Sequence, residues 1–225
     1  MSYNKRTVPI VMLNLKANYH NEWLEIKLLK NKRKKLGSHM SGGVDSALMT
    51  FLMAKFIYDN DLKDTKIVPV HGWDVRRQHS YSPIDVRNVL NIIKPLFPTV
   101  QIDDLYIYAF NKITGEEKDK YARPNIKLLY KEKIIDGFAY GSTREPPPKA
   151  LVDLGIESIG RTEEIRDGGP MGAMTKKDIA KLYEKYNLID NLLPVTVSCI
   201  DDLPNGKPCE KCWWCKEKYW AFGKY

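Results

Sequence analysis

The run Ser41-Gly42-Gly43-Val44-Asp45-Ser46 constrains this chain most, because it sets a tight turn directly ahead of a helix. Adjacent glycines let backbone N–H groups close on a ligand with no Cβ in the way. Behind them, Val44, Ala47, Leu48, Phe51 and Leu52 recur with the 3.6-residue period of a helix reaching about Ile57. A helix N-terminus carries partial positive charge and unpaired N–H groups, so the run reads as a phosphate cradle. Ser41 and Ser46 add hydroxyl donors, and Asp45 is suited to a metal ion that bridges phosphates. The kinase-type pattern G-x-x-x-x-G-K-[ST] is absent. A simple Gly-Gly turn with a Ser/Asp helix cap is the plainer reading of the same six residues.

Elements alternate along the rest of the chain. Pro9 to Leu15 and Trp23 to Leu29 read as two short strands of an N-terminal extension, residues 1–34. Lys35 to Met40 is the strand that must feed the glycine loop, and Gly37, Ser38 and His39 make it a poor one. Ile67 to His71 is a second strand, Val86 to Leu96 a helix, and Val100 to Phe110 a third strand. Asn125 to Ile135 is a helix and Gly137 to Gly141 a fourth strand and turn. Glu145-Pro146-Pro147-Pro148 breaks regular structure. A helix opens at Met174-Thr175-Lys176-Lys177-Asp178, with Thr175 as N-cap and Asp178 at the N3 position. Strands alternating with helices predict an α/β fold, a parallel doubly wound sheet with helices on both faces. Ligands of such sheets bind at the carboxyl ends of the strands, where the glycine loop falls. Residues 35–190 make up this nucleotide-binding domain.

All four cysteines fall in the remaining segment, residues 191–225, as Cys199, Cys209, Cys212 and Cys215. The spacing C-x9-C-x2-C-x2-C turns successive thiolates toward one centre, and four soft ligands favour a closed structural Zn²⁺ site. An iron–sulfur cluster takes the same ligand number, and disulfides are the third reading. Trp213, Trp214, Tyr219, Trp220 and Phe222 interleave with the cysteines and form a packing surface, either tail on body or subunit on subunit in a homodimer.

A formal charge of +8 suits anionic ligands. Lys27, Lys30, Lys32, Arg33, Lys34 and Lys35 read as a solvated basic stretch, so direct nucleic-acid binding is not expected. No apolar run approaches the ~20 residues of a membrane span, and the polar start resembles no signal peptide. The expected location is the cytoplasm.

The loop resembles the SGGxDS signature of the ATP pyrophosphatase (PP-loop) superfamily, whose members cleave ATP between the α and β phosphates. Followed by the terminal cysteines, it resembles the 7-cyano-7-deazaguanine synthase family of the queuosine pathway. Gly72-Trp73-Asp74-Val75-Arg76-Arg77-Gln78-His79 is a looser form of that family's Y-G-Q-R-H segment. Met174 to Ile179 is similar to its threonine-lysine helix start, and Val195 to Cys199 with Pro208 to Cys212 to its T-x-S-C and P-C-G-x-C runs. Ala221-Phe222-Gly223 matches its closing aromatic. The family's arginine after the last cysteine is absent, Lys216, Lys218 and Lys224 standing nearby instead. The substrate segment, here Gly141 to Pro148, also departs.

The resemblance implies an adenine nucleotide alpha hydrolase-like fold and an ATP-dependent carbon–nitrogen ligase. Its substrates would be 7-carboxy-7-deazaguanine, ammonia and ATP, with Mg²⁺ and Zn²⁺ as cofactors. Ser41, Gly42, Gly43, Val44, Asp45 and Ser46 would bind ATP; Asp45 and Lys176 would serve catalysis, Lys176 as a second phosphate contact. Arg77 would touch phosphate or substrate, and His79 less so. A tRNA thiolase, another amide-forming ligase, or a non-catalytic nucleotide-binding protein with a zinc tail are the competing readings.

Overall fold

The computed structural model describes residues 33–74, 82–110, 126–161, 171–201 and 207–225. The two expected strands of the N-terminal extension, and Arg77 and His79, lie outside the described residues.

Strand β1 (Lys35–His39) is central, pairing in parallel with β2 (Lys66–Asp74) on one side and β5 (Gly137–Tyr140) on the other. The far edge of β2 pairs in parallel with β3 (Gln101–Ile102) and then β4 (Tyr106–Phe110). The single third strand expected over Val100 to Phe110 is thus two. Residues 103–105 leave the strand conformation, where Asp103 turns its carboxylate onto Lys66 Nζ at 2.5 Å. Aspartate fits a pleated ladder poorly, which accounts for the break. Strand β2 also runs three residues past His71, because β4 supplies partners from Val70↔Tyr106 to Asp74↔Phe110.

Helices pack on both faces, as side chains of β2 alternate between them. Leu36, Ile67 and Ala139 join a core under α1 (Val44–Asp59), α2 (Pro83–Leu96) and α4 (Lys176–Lys185), with Met49, Met53, Val89, Ile93 and Tyr183. Val68, Val70 and Tyr108 join a second core with Leu129 and Ile135, where residues 126–131 are helical. The doubly wound parallel sheet expected from the sequence is the architecture found. Among the described residues no helix is long and apolar enough to cross a membrane.

The poor strand propensity of β1 is overridden by its surroundings. A Cβ on Gly37 would stand 2.7 Å from the Phe138 ring, and Ser38 Oγ lies 2.8 Å from Thr50 Oγ1 of α1. Small residues are what a central strand needs where a neighbour's aromatic ring crosses it.

Two helix starts differ from expectation. Helix α2 begins at Pro83 rather than Val86, because Ser82 and Asp85 form a capping box ahead of it. The Glu145 to Pro148 run does not simply break structure: Pro148 starts α3 (Pro148–Leu154), with Pro147 at its N-cap. A first helical residue has no intrahelical N–H bond to lose, so proline is favoured there. Helix α5 (Trp213–Phe222) ends the fold and packs on α4, where Tyr183 and Phe222 meet edge to face at 5.4 Å.

Candidate functional site

The chain reverses its winding at β1: β2 to β4 follow on one side and β5 returns to the other. The crevice of such a sheet opens at the carboxyl end of that strand. Met40 and the glycine loop stand there. Met40 N donates to Val70 O at 2.8 Å, and buried His71 donates from Nδ1 to Met40 O at 2.7 Å.

Gly42 has φ +82, and a Cβ on it would stand 2.8 Å from Asp85 Cβ in the first turn of α2. Only glycine meets both conditions without strain. Gly43 is the N-cap of α1 and brings no side chain to cap it. Ser46 Oγ donates to Gly43 O at 3.0 Å, Ser41 N donates to Ser46 Oγ at 3.1 Å, and Gly43 N donates to Ser41 Oγ at 3.3 Å. The two serines therefore shape the loop around themselves. Burial raises the carboxyl of Asp85 above its usual value, with hydrogen bonds from Ser82 and the charge of His71 pulling the other way.

Three distant segments close on this turn. A Cβ on Gly141, just after β5, would stand 2.6 Å from Asp45 O. Val197 N donates to Gly42 O at 2.9 Å, laying the segment before Cys199 across the loop. Tyr183 of α4 donates to Val44 O at 2.9 Å.

Helix α4 begins as expected. Thr175 Oγ1 accepts from Asp178 N, and Asp178 Oδ2 accepts from Thr175 N at 2.9 Å. This cap sets Lys176 at the first helical position, and its ammonium makes an ion pair with Asp45 Oδ2. The same Nζ lies 3.4 Å from Glu217 Oε2 of α5, and Glu217 Oε1 accepts from Arg161 at 2.6 Å. Lys176 is 4% exposed, Asp45 18% and Glu217 0%. Burial raises the Glu217 carboxyl, opposed by the charges of Lys176 and Arg161. Asp45 Oδ1, Glu217 Oε2 and Arg161 Nε are buried with no hydrogen-bond partner. An orphaned carboxylate oxygen beside an open helix start fits a divalent cation, so Asp45 is the residue that would hold Mg²⁺. Glu217 and Arg161 were not singled out from the sequence. Nothing in local spacing links residues 45, 161, 176 and 217.

The four cysteine sulfurs lie within 4.8 Å of one another. A tetrahedral Zn²⁺ with four Zn–S bonds spaces its sulfurs by about 3.8 Å. Cys209 Sγ and Cys215 Sγ are 4.0 Å apart, so the set fits such an ion with little movement. Cys209 N donates to Cys199 Sγ and Cys212 N to Cys209 Sγ, bonds that favour thiolates. Burial pushes the Cys209 thiol up to about 11 and raises that of Cys215. Burial acts the same way on Cys212, but backbone bonds from Ile200 and Cys215 bring it below the ordinary value. Trp213, Trp220 and Phe222 pack the tail on the body, whereas Tyr219 is exposed and stacks on Tyr225. Arg161 lies over the Trp213 ring at 4.5 Å, Lys177 Nζ over Trp220 at 4.7 Å, and Trp213 Nε1 donates to Glu157 O at 2.8 Å.

Residues 141–148 lead into the same region. Arg144 N donates to Met174 O at 3.0 Å, which ties residues 141–148 to the start of α4.

No family model and no curated protein matches the chain. Solved structures similar to it include an NH3-dependent NAD synthetase from Campylobacter jejuni subsp. jejuni in complex with the nitrate ion (17% identity, TM-score 0.49, covering 80% of this chain and 76% of that one). An NMN synthetase from Francisella tularensis is similar at 14% identity and TM-score 0.48, covering 93% of this chain and 87% of that one. A U34-tRNA thiolase from Methanococcus maripaludis with its 4Fe–4S cluster is similar at 14% identity and TM-score 0.49, covering 79% and 65%.

Proposed function

We propose that this chain is an ATP-dependent carbon–nitrogen ligase of the PP-loop type, converting 7-carboxy-7-deazaguanine and ammonia to 7-cyano-7-deazaguanine. The observation that carries the reading is the uncapped, glycine-bordered start of α1 at the strand-order reversal, with the Lys176–Asp45 ion pair beside it. The acceptor is supported by the sequence order of loop, threonine-lysine helix start and four cysteines.

In this reading the first-turn N–H groups of α1 and the hydroxyl of Ser41 hold the phosphates that leave as pyrophosphate, while Ser46, whose hydroxyl donates to Gly43 O, holds the turn in shape. A carboxylate oxygen of the acceptor attacks the α-phosphorus, the α–β bridge bond breaks, and pyrophosphate departs with the electron pair. Ammonia then attacks the activated carbonyl carbon, AMP leaves, and loss of a proton gives the amide. A second ATP adenylates the amide oxygen, and departure of AMP with loss of two protons leaves the nitrile. Lys176 offsets negative charge gathering at the phosphates. Mg²⁺, when bound, supplies further charge neutralisation, and Asp45 holds it. The protein contributes positioning and electrostatics rather than a nucleophile. Cys199, Cys209, Cys212 and Cys215 hold the structural zinc, apart from the chemistry.

The test is incubation with ATP, Mg²⁺, ammonia and 7-carboxy-7-deazaguanine, followed by mass analysis. A product with the nitrile mass and two AMP per turnover is expected. Unchanged ATP with no nitrile overturns the reading. AMP and pyrophosphate without nitrile would keep the ATP chemistry and reject the acceptor.

A further inference from the structure

Lys176 is an ammonium at the floor of the candidate site with almost no access to water. A buried ammonium is tolerated only when carboxylates share its charge and take its hydrogens. Asp45 supplies one carboxylate, and Asp45 is also the group left to take the divalent cation through its free oxygen. One carboxylate cannot serve the lysine and a metal ion equally well, since each positive charge weakens its hold on the other. The second carboxylate comes from α5. Glu217, the fifth residue of that helix, is fully buried and stands between two cations, Arg161 at 2.6 Å and Lys176 at 3.4 Å. Four charges thus alternate through successive ion pairs that end at the glycine loop: Arg161, Glu217, Lys176, Asp45.

We infer that Glu217 is a positioning residue for the proposed ATP chemistry: it carries part of the charge of Lys176, fixes that ammonium at the start of α1, and so leaves Asp45 free to hold the cation. Arg161 fixes Glu217 in turn, braced by its stacking on Trp213. Because Cys212 is the N-cap of α5 and Cys215 lies within it, the helix that presents Glu217 is tied to two of the four clustered cysteines. The inference deepens the ligase reading and rests on it.

The experiment is a double-mutant cycle on the full chain with wild type, Glu217→Gln, Lys176→Met and both together. Pyrophosphate release, urea midpoint and metal content are measured for each. Glutamine keeps the shape and an acceptor oxygen while removing the charge. Glu217→Gln is expected to retain a full complement of bound metal, to lower kcat on the order of 100-fold, and to change the KM for ATP by less than about threefold. With Met at position 176, the same change is expected to alter kcat by less than about twofold, because the residue through which Glu217 acts is gone. Equal losses in both backgrounds would mean a merely structural role and would overturn the inference, as would an unchanged kcat in Glu217→Gln. If wild type releases no pyrophosphate, the ligase reading falls. The urea-midpoint cycle then decides the Glu217–Lys176 link, with coupling upholding it and additivity rejecting it. Should Glu217→Gln lose cooperative unfolding, Arg161→Gln replaces it in the cycle, with the same direction of change and a smaller loss in kcat.

Discussion

The helices that begin at Val44 and at Lys176 meet at their N-termini, yet they finish their first turns in opposite ways. Helix α4 closes its own end, with Thr175 and Asp178 exchanging hydrogen bonds, and α2 does the same through Ser82 and Asp85. Helix α1 starts from a glycine with no side-chain cap, and its serine hydroxyl donates backward to Gly43 O instead. A capped end is solved by residues three apart. The open end is solved by residues far away in sequence: Gly141 pressed on Asp45, Val197 bonded to Gly42, and Lys176 paired with Asp45. Helix α5 is a third kind of start, its N-cap being Cys212, one of the four clustered cysteines, with no side-chain cap bond. Helix α3 also lacks a side-chain cap, but its first residue is Pro148, which has no N–H to satisfy. Among the described helices α1 and α5 are therefore left as the two open starts, and they are the two where the proposed function needs a ligand.

The largest expected effect breaks the comparison at α5. Serine is a favoured N-cap, so if local capping ruled there, Cys212→Ser would stabilise the protein. We expect the reverse: loss of bound metal, by elemental analysis, and destabilisation on the order of 5 kcal/mol in urea unfolding. Full metal content in that variant would disprove the four-thiolate site. The colour of the purified wild type separates the two metal readings, since a zinc protein is colourless and an iron–sulfur protein brown.

At the open start of α1, Asp45→Ala is expected to cost about 1000-fold in pyrophosphate release while the circular dichroism spectrum stays that of wild type. Retention of a tenth of the turnover would remove Asp45 from the proposed role.

At the capped start of α4, Thr175→Ala is expected to cost about 1 kcal/mol of stability. An unchanged urea midpoint would show that the capping box contributes nothing.

The smallest effect converts the open start to a capped one. Gly43 has an ordinary extended backbone, and the nearest atom to an added Cβ is Ser41 Oγ at 3.4 Å, so a side chain fits. Gly43→Ser is expected to stabilise by about 0.3 kcal/mol and to raise the KM for ATP, as the new hydroxyl occupies N–H groups the phosphates would use. A lower KM would reverse the argument.

What the sequence revealed followed the same division. The turn at Gly42, the capping box at Thr175 and the cysteine cluster are all encoded within a few residues, and each stands where spacing placed it. The helix starting at Pro148 was hidden because a triple proline reads as a breaker until one proline occupies a first helical position. The break between β3 and β4 falls at the adjacent Asp103 and Asp104, which interrupt the alternation of Val100 to Ile102 in a segment apolar enough at both ends to read as one strand. Strand β1 looked poor because its small residues answer to Phe138 and Thr50, which are far away in the chain. The pairing of Lys176 with Glu217 and Asp45 joins three separate segments, so no local pattern announces it.

The bond from Val197 to Gly42 has a consequence for how the protein is made. The glycine loop leaves the ribosome before its brace, which comes more than 150 residues later. Contacts of such sequence separation form late, because the chain must first be long enough to close them. A nascent chain therefore exposes an unfinished loop until Val197 has been made. Under the proposed function, competence to grip a nucleotide would arrive in one step with the segment that carries Val197 and the cysteines after it.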